Sequence, residues 1–154
     1  MELAAELEVV NRVELKLALT QNLQSFITIY LCPILLKLAS KNAPVRTKTL
    51  LLVSQLIKRI SPAPDLKLPL IPLLDLCLYQ QNIQVQLYSL IFITKAIDRE
   101  FDKLLLISCW NKILSNDLNS FRESISPRLL SIFLKLLLKF SVDDYNNFHS
   151  TYWE

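Results

Sequence analysis

Apolar residues recur along the chain at intervals of three and four, and short polar or proline-containing stretches interrupt them. This spacing places the apolar side chains on one face of an α-helix, so it predicts amphipathic helices joined by turns. The predicted helices cover about residues 2–19, 23–39, 43–60, 68–79, 83–101, 102–114 and 127–140. Pro33 falls inside the second of them and is expected to kink it.

Two of the turns carry residues that favour the start of a helix. Asn42 is predicted to cap the third helix, with Pro44 in its first turn, where a missing N–H costs nothing. Ser126 is predicted to cap the last helix, with Pro127 at its first position. Both helix starts are therefore predicted from local chemistry alone.

The helices repeat with a period of forty residues. Shifting the sequence by that period aligns Val45 with Val85 and Ile125, Leu50 with Leu90 and Leu130, Val53 with Ile93 and Phe133, and Ile34 with Leu74 and Leu114. Periods near forty residues are typical of HEAT- and armadillo-type helical pairs. The sequence therefore predicts an all-α fold, an α-solenoid of about three HEAT-like helical pairs preceded by one helix.

The repeat sets the predicted domain organisation. A HEAT-like helical-repeat segment covers residues 1–141, and a polar and aromatic C-terminal tail covers residues 142–154. The last helix is rich in leucine and offers few polar side chains to water, whereas the end of a solenoid needs a polar outer face. We therefore expect the chain to be the front part of a longer array.

The composition excludes several classes of function. The chain has no glycine, which phosphate-binding loops, dinucleotide-binding fingerprints and nucleophile elbows all require. Charged or amide side chains interrupt every apolar run before it is long enough to span a membrane. The three cysteines lie far apart among apolar residues, as buried thiols do in a cytosolic or nuclear protein.

Candidate catalytic and metal-binding residues are sparse. The single histidine, His149, lies in the polar tail, where nothing places it beside a nucleophile and an orienting group. No two cysteines have the close spacing of zinc ligands, and Asp143 and Asp144 lack the alternating ligands of a calcium loop. The sequence therefore predicts no enzyme activity, no cofactor and no metal site.

A partner-binding surface is the better-supported hypothesis. The forty-residue shift superimposes three rows on the second helices of the pairs. The rows are Lys48, Tyr88 and Arg128; Gln55, Lys95 and Lys135; and Arg59, Arg99 and Lys139. Such a basic ladder, with a tyrosine within it, could meet an acidic protein surface. The alternative is that these residues only form the polar face of each helix, and the net charge of +3 argues against nucleic acid as the partner.

Several blocks of the sequence resemble the N-terminal region of one family, the large proteasome-associated HEAT-repeat adaptors. The blocks lie at residues 13–19, 31–40, 45–46, 85–90 and 95–99. The resemblance spans roughly residues 5–140, with the order and spacing of the blocks preserved. Two departures are Cys32, where the family tends to have a second proline, and Gln86, where an arginine is expected after Val85.

The resemblance implies a scaffold that binds the proteasome. Members of that family tether the regulatory particle to the core particle and take part in proteasome assembly and quality control, in the cytoplasm and the nucleus. It implies no small-molecule substrate and no membrane contact. The runner-up interpretation is a transport-receptor-like or other helical-repeat scaffold, which would capture a small GTPase or a basic cargo.

Overall fold

The fold consists of helices throughout the part of the chain that the computed structural model describes, which is residues 2–117, 121, 123–141 and 144. The helices are α1 (Glu2–Leu19), α2 (Leu23–Leu36), α3 (Ala43–Ile60), α4 (Leu70–Tyr79), α5 (Ile83–Arg99), α6 (Lys103–Leu114) and α7 (Ser126–Leu138). No strand occurs among these residues. The prediction of an all-α fold is confirmed, and α1 and α3 have the predicted bounds.

The starts of several helices are fixed by side-chain caps. The carboxylate of Asp102 accepts from the backbone N–H of Leu104 at 3.0 Å and begins α6. The side chain of Asn22 does the same for α2, accepting from the N–H of Ser25 at 3.0 Å. Such contacts satisfy amide donors that have no partner inside the helix. Local sequence chemistry therefore determines where these helices begin.

One predicted cap is wrong, and the other lies where predicted but makes no capping hydrogen bond. Asn42 is the N-cap residue of α3, with Pro44 in the first turn, but its side chain accepts from no amide of the helix, and its Nδ2 atom donates to the carboxylate of Glu6 at 2.9 Å. Ser126 is the first residue of α7 rather than its cap, and its hydroxyl donates to the carbonyl of Phe121 at 3.3 Å. In both cases the side chain donates to an oxygen outside its own helix, in Glu6 or in the preceding loop.

Pro33 lies inside α2, and the helix continues through it. After Leu36 the chain tightens into a short 3₁₀-helix, Lys37–Ala39. The second predicted helix is therefore present over its whole length, but in two forms. A kink at Pro33 stays a prediction.

The described residues form two compact units that divide between Arg99 and Glu100. In the first unit α2 packs against α3 and α4 packs against α5, while α1 contacts α3 and α2 contacts α4. In the second unit α6 packs against α7. The predicted helical pairs are therefore present, in the manner of an α-solenoid. The boundary at residue 141 stays a prediction, since nearly all of residues 142–154 lie outside the described part.

The buried residues follow the forty-residue register. Val45, Val85 and Ile125 are all inaccessible to water. Other equivalent positions change at the third repeat, since Leu74 is fully buried whereas Leu114 is 55% exposed. The exposed face of α7 is apolar as well, with Leu130, Leu134, Leu137 and Leu138 reaching solvent. Within residues 2–117 and the described part that follows, no helix is both long and apolar enough to cross a membrane.

Candidate functional site

The eight residues predicted to bind a partner lie on, or directly after, the second helix of each pair. They are Lys48 and Arg59 on α3, Tyr88, Lys95 and Arg99 on α5, Arg128 and Lys135 on α7, and Lys139 just after α7. Arg128 is exposed and the others are half-buried. The structure gives the three rows very different surroundings.

Arg59, from the third row, reaches back to the end of α1. Its Nη1 atom donates to the carbonyl of Leu17, and its Nη2 atom donates to the carbonyl of Thr20 at 3.3 Å. The last carbonyls of a helix have no N–H donor inside the helix, and they carry partial negative charge. Arg59, on α3, therefore supplies hydrogen-bond donors to carbonyls at the C-terminal end of α1.

Arg99 makes the equivalent contact one repeat later. Its Nη2 atom donates to the carbonyl of Ile60, the last residue of α3, at 2.9 Å. Its Nη1 atom lies 3.5 Å from the carbonyl of Leu66, in the loop that follows α3. The guanidinium thus bridges the helix end and the loop, which is possible because its donors form a rigid fork.

Lys139 completes the third row. Its Nζ atom donates to the carbonyl of Glu100 at 3.4 Å and lies 4.9 Å from the centre of the Phe101 ring. Each of the three cations thus reaches a carbonyl 39 residues earlier in the chain: Arg59 to Thr20, Arg99 to Ile60, and Lys139 to Glu100. The row is a set of recurring helix-end contacts, and its role in docking a partner stays a prediction.

The first row contains one ion pair. Lys48 Nζ lies 3.0 Å from a carboxylate oxygen of Glu14, which connects α3 to α1. Tyr88 is half-buried at the equivalent position of α5, and Arg128 is exposed in α7. The three positions therefore differ: Lys48 is ion-paired, Tyr88 is neutral, and Arg128 is an exposed cation.

The second row lies on the solvent side of its helices. Gln55 is exposed, and Lys95 and Lys135 are half-buried. Lys95 Nζ donates to the hydroxyl of Ser61 at 3.2 Å. Lys95 thus meets a hydroxyl rather than a helix-end carbonyl, and Arg128 of the first row is exposed. Partner binding by any of the eight residues stays a prediction.

A second recurring contact follows the register at positions 46, 86 and 126. Arg46 Nη1 donates to the carbonyls of Ser40 and Lys41 at 2.8 and 2.9 Å. Gln86, which is buried, donates from Nε2 to the carbonyl of Cys77 at 3.1 Å. Together with the Ser126 contact described above, each of these side chains satisfies a carbonyl in the segment preceding its own helix. Gln86 stands where an arginine is expected, and it makes this contact through its neutral side-chain amide.

A polar cluster around Glu6 was not predicted from the sequence. Its carboxylate accepts from Ser40 Oγ at 2.7 Å, from Asn42 Nδ2 at 2.9 Å and from Lys37 Nζ at 3.0 Å. These hydrogen bonds, that from Ser40 above all, lower the pKa of Glu6 to about 2. The cluster ties α1 to the turn before α3. No spacing rule reveals it, because the partners lie 31 to 36 residues away.

A second unpredicted contact holds the long loop between α3 and α4. The side-chain amide of Gln24 donates to the carbonyl of Lys67 and accepts from its N–H, both at 2.8 Å. One side chain thus satisfies both backbone groups of a loop residue, as a neighbouring strand would. The contact anchors the proline-rich loop to α2.

The expected absence of a catalytic or metal centre stays a prediction. Among the described residues no group of three His, Cys, Asp or Glu side chains could hold a metal ion. Burial raises the pKa of the Cys77 and Cys109 thiols to about 12 and that of Cys32 to about 11, so the reactive thiolate is scarce. His149 and Asp143 lie outside the described residues.

Comparison with known proteins gives consistent matches. The family described as "Proteasome component ECM29, N-terminal" matches residues 10–151. The proteasome component ECM29 of Saccharomyces cerevisiae is 33% identical over 147 residues, which is 88% of this chain and 8% of that protein. The proteasome component ecm29 of Schizosaccharomyces pombe is 41% identical over 68 residues, which is 42% of this chain and 4% of that protein. This chain therefore spans less than a tenth of either relative. No solved structure matches it significantly.

Proposed function

The chain belongs to the family of the proteasome component ECM29, N-terminal, and on that premise we propose that it is a proteasome-binding adaptor, one segment of a helical-repeat scaffold. The observation that carries the proposal is the family match over residues 10–151. The finer role is to link the core and regulatory particles and to act in proteasome assembly or quality control. This role requires binding and no chemistry at the chain itself.

The architecture supports a scaffold in two ways. Stacked helical pairs present long surfaces whose side chains recur at a fixed interval, which suits contact with an extended partner. The conspicuous polar contacts of the described residues join one helix to the next, as those of Arg59, Arg99 and Glu6 do. The side chains are therefore used to fix helices relative to one another, and the binding surface is left to the outer faces.

The partner surface is proposed to be acidic. Lys95 in the first unit, and Arg128 and Lys135 in the second, are the basic residues proposed to meet it, each unit taken by itself; Arg128 is exposed, and Lys95 and Lys135 are half-buried. Tyr88, half-buried on α5, supplies an aromatic contact. Exposed charges of this kind speed encounter with a complementary surface and contribute less to the final affinity. Capture is therefore expected to weaken as salt is raised.

Co-sedimentation with purified proteasomes tests the proposal. The chain is centrifuged with core particle alone, with regulatory particle alone, and with the complete assembly at low salt. We expect it to sediment with the complete assembly and with at least one particle. A chain that stays in the supernatant with all three would contradict proteasome binding. A pull-down that instead recovers a small GTPase would favour the transport-receptor-like alternative.

A charge-reversal variant tests the proposed surface separately. Changing Lys95, Arg128 and Lys135 to Glu should lower co-sedimentation about 10-fold or more, because each change adds repulsion from an acidic partner. The matched control changes the exposed lysines Lys41, Lys58 and Lys67 to Glu, which alters the net charge equally outside the three rows. Equal loss in both variants would indicate a general charge effect and remove the surface from the proposal.

We also propose that the chain acts in the cytoplasm and the nucleus, where the family resemblance implies proteasome adaptors work. Fluorescent tagging in living cells tests this directly. Signal in both compartments, overlapping with a tagged proteasome subunit, is the expected result. Signal confined to a secretory organelle would contradict the proposal and the interpretation of the cysteines as reduced thiols.

A further inference from the structure

Ser61 lies at an exposed site where the chain leaves α3. It directly follows the last residue of that helix, precedes Pro62, and opens the loop that leads to α4. Protein kinases of the proline-directed class recognise a serine followed by proline. The sequence contains one other such dipeptide, Ser126-Pro127. The two sites provide an internal comparison.

Two cations from a neighbouring helix reach Ser61 and the residue before it. Lys95 Nζ donates to its hydroxyl oxygen at 3.2 Å, and Arg99 Nη2 donates to the carbonyl of the preceding residue, Ile60, at 2.9 Å. Lys95 and Arg99 are separated by four residues on α5, so they lie on the same face of that helix. Lys58 and Arg59 precede Ser61 in the chain. The hydroxyl therefore accepts from one cation of the next pair, and a second cation of that pair donates to the carbonyl beside it.

We propose that Ser61 is a phosphorylation site for a proline-directed protein kinase and that Lys95 and Arg99 hold the phosphate. In the reaction the Ser61 Oγ atom forms a bond to the γ-phosphorus of ATP. The bond between that phosphorus and the β,γ-bridging oxygen breaks, ADP leaves, and the hydroxyl proton passes to the base of the kinase. The product carries a charge of about −1.5 to −2 and three strong acceptor oxygens.

The neighbouring cations, Lys95 and Arg99, determine whether the phosphate weakens or strengthens the contact between α3 and α5. Ser61 Oγ donates to the carbonyl of Ile57 at 2.8 Å, and phosphorylation removes this donor. Negative charge at the C-terminal end of a helix is also unfavourable, because the last carbonyls are partly negative. Lys95 and Arg99 offset this by making charge-assisted hydrogen bonds to the phosphate oxygens. The phosphate then connects the end of α3 to α5 more strongly than the hydroxyl does.

Ser126 lacks these features. It is half-buried in the first turn of α7, and its hydroxyl donates to the carbonyl of Phe121 at 3.3 Å. A kinase binds its substrate in an extended form, so the start of α7 would have to unwind before Ser126 could react. Ser61 needs less rearrangement, because irregular chain follows it as far as Pro69. The structure therefore distinguishes two dipeptides that the sequence makes equivalent.

The modification is tested by incubating the purified chain with ATP and a proline-directed kinase, followed by intact mass measurement and peptide mapping. We expect one phosphate, on Ser61. The Ser61→Ala variant should lose it and the Ser126→Ala variant should keep it. Absence of phosphate from Ser61, or faster modification of Ser126, would overturn the proposal.

Phosphorus NMR of the phosphorylated chain tests the role of the cations. Positive charge near a phosphate favours its doubly charged form, so the second pKa of the Ser61 phosphate should be lower in the wild-type chain than in Lys95→Ala. Lys58→Ala, which removes an exposed lysine from α3, is the matched control and should change this pKa less. Identical titration curves for wild type and Lys95→Ala would show that α5 does not hold the phosphate.

Discussion

Arg99 and Ile60 are joined across two repeats by a hydrogen bond of 2.9 Å, from the arginine Nη2 atom to the isoleucine carbonyl. Ile60 ends α3 and Arg99 ends α5, so a cation at the end of one helix donates to the last carbonyl of another. The same separation of 39 residues recurs for Arg59 and Thr20 and for Lys139 and Glu100. The period found in the sequence is therefore also a period of helix-end contacts.

Replacing Arg99 tests this contact. Arg99→Met keeps much of the aliphatic stem but removes the donors, so we expect the free energy of unfolding to fall by about 1–2 kcal/mol. For Arg99→Lys, which keeps a cation but loses the forked donors, the decrease in the free energy of unfolding should be smaller than for Arg99→Met. Urea unfolding followed by circular dichroism measures the change. The control is Arg128→Met at an exposed position, which should stay within about 0.5 kcal/mol of wild type.

The register also predicts where a large-to-small change is tolerated. Leu74 and Leu114 are equivalent by the forty-residue shift, yet the first is fully buried and the second is 55% exposed. Leu74→Ala should lower the free energy of unfolding by about 2–5 kcal/mol, because it leaves a cavity. Leu114→Ala should cost less than about 1 kcal/mol. Thermal and urea unfolding measure both variants. An equal decrease in the free energy of unfolding for Leu74→Ala and Leu114→Ala would mean that Leu114 is covered in solution.

Gln24 is predicted to protect the loop between α3 and α4 from protease. Gln24→Ala removes both hydrogen bonds to the backbone of Lys67. A loss of about 1–2 kcal/mol of local stability would raise the open population, and so the rate of tryptic cleavage after Lys67, about 5–30-fold. Mass spectrometry of timed digests identifies that cleavage. Gln55→Ala, on the exposed side of α3, should leave the rate unchanged.

Glu6 makes stability depend on pH in the acid range. Its pKa is about 2 in the folded chain against 4.5 when unperturbed, so the unfolded chain takes up the proton first as the pH falls. The stabilisation is complete above about pH 5 and is lost progressively as the pH approaches 2. Melting temperatures between pH 2 and 7 should therefore fall more steeply for wild type than for Glu6→Gln.

Asp144 provides a check on that interpretation. Hydrogen bonds from Lys103 and Ser141 lower its pKa to about 2 as well, so part of the acid slope should persist in Glu6→Gln. Glu8→Gln changes an exposed carboxylate on the same helix as Glu6 and should keep the wild-type slope. If Glu6→Gln and wild type had the same slope, the cluster around Glu6 would not form in solution.

The thiols should be slow to react in the folded chain. Cys77 and Cys109 are fully buried, and their pKa values of about 12 leave little thiolate at neutral pH. Labelling with a disulfide reagent should reach them only on unfolding, so its rate should rise with urea. Cys32 is half-buried and should label first, which Cys32→Ser identifies. Rapid labelling of all three thiols without urea would contradict the buried core.

The pattern of apolar residues is sufficient to predict the helices and their order. Local spacing of apolar residues fixed the bounds of α1 and α3, because a helix needs one apolar face whatever it packs against. The forty-residue period then fixed which helices are equivalent, and the burial of Val45, Val85 and Ile125 follows it. The apolar spacing and the forty-residue period both repeat along the chain, so they can be recognised without knowing how the helices pack.

The hydrogen-bond partners of the polar residues, in contrast, depend on how the helices pack. Spacing placed Arg59, Arg99 and Lys139 in one row but could not show that each reaches the end of an earlier helix. Asn42 stands at the N-cap of α3 as its sequence context predicts, yet its side chain bonds Glu6, because the partner depends on which distant group lies within hydrogen-bond reach. Long polar side chains have many rotamers, so their partners are selected by the packing of the helices that carry them.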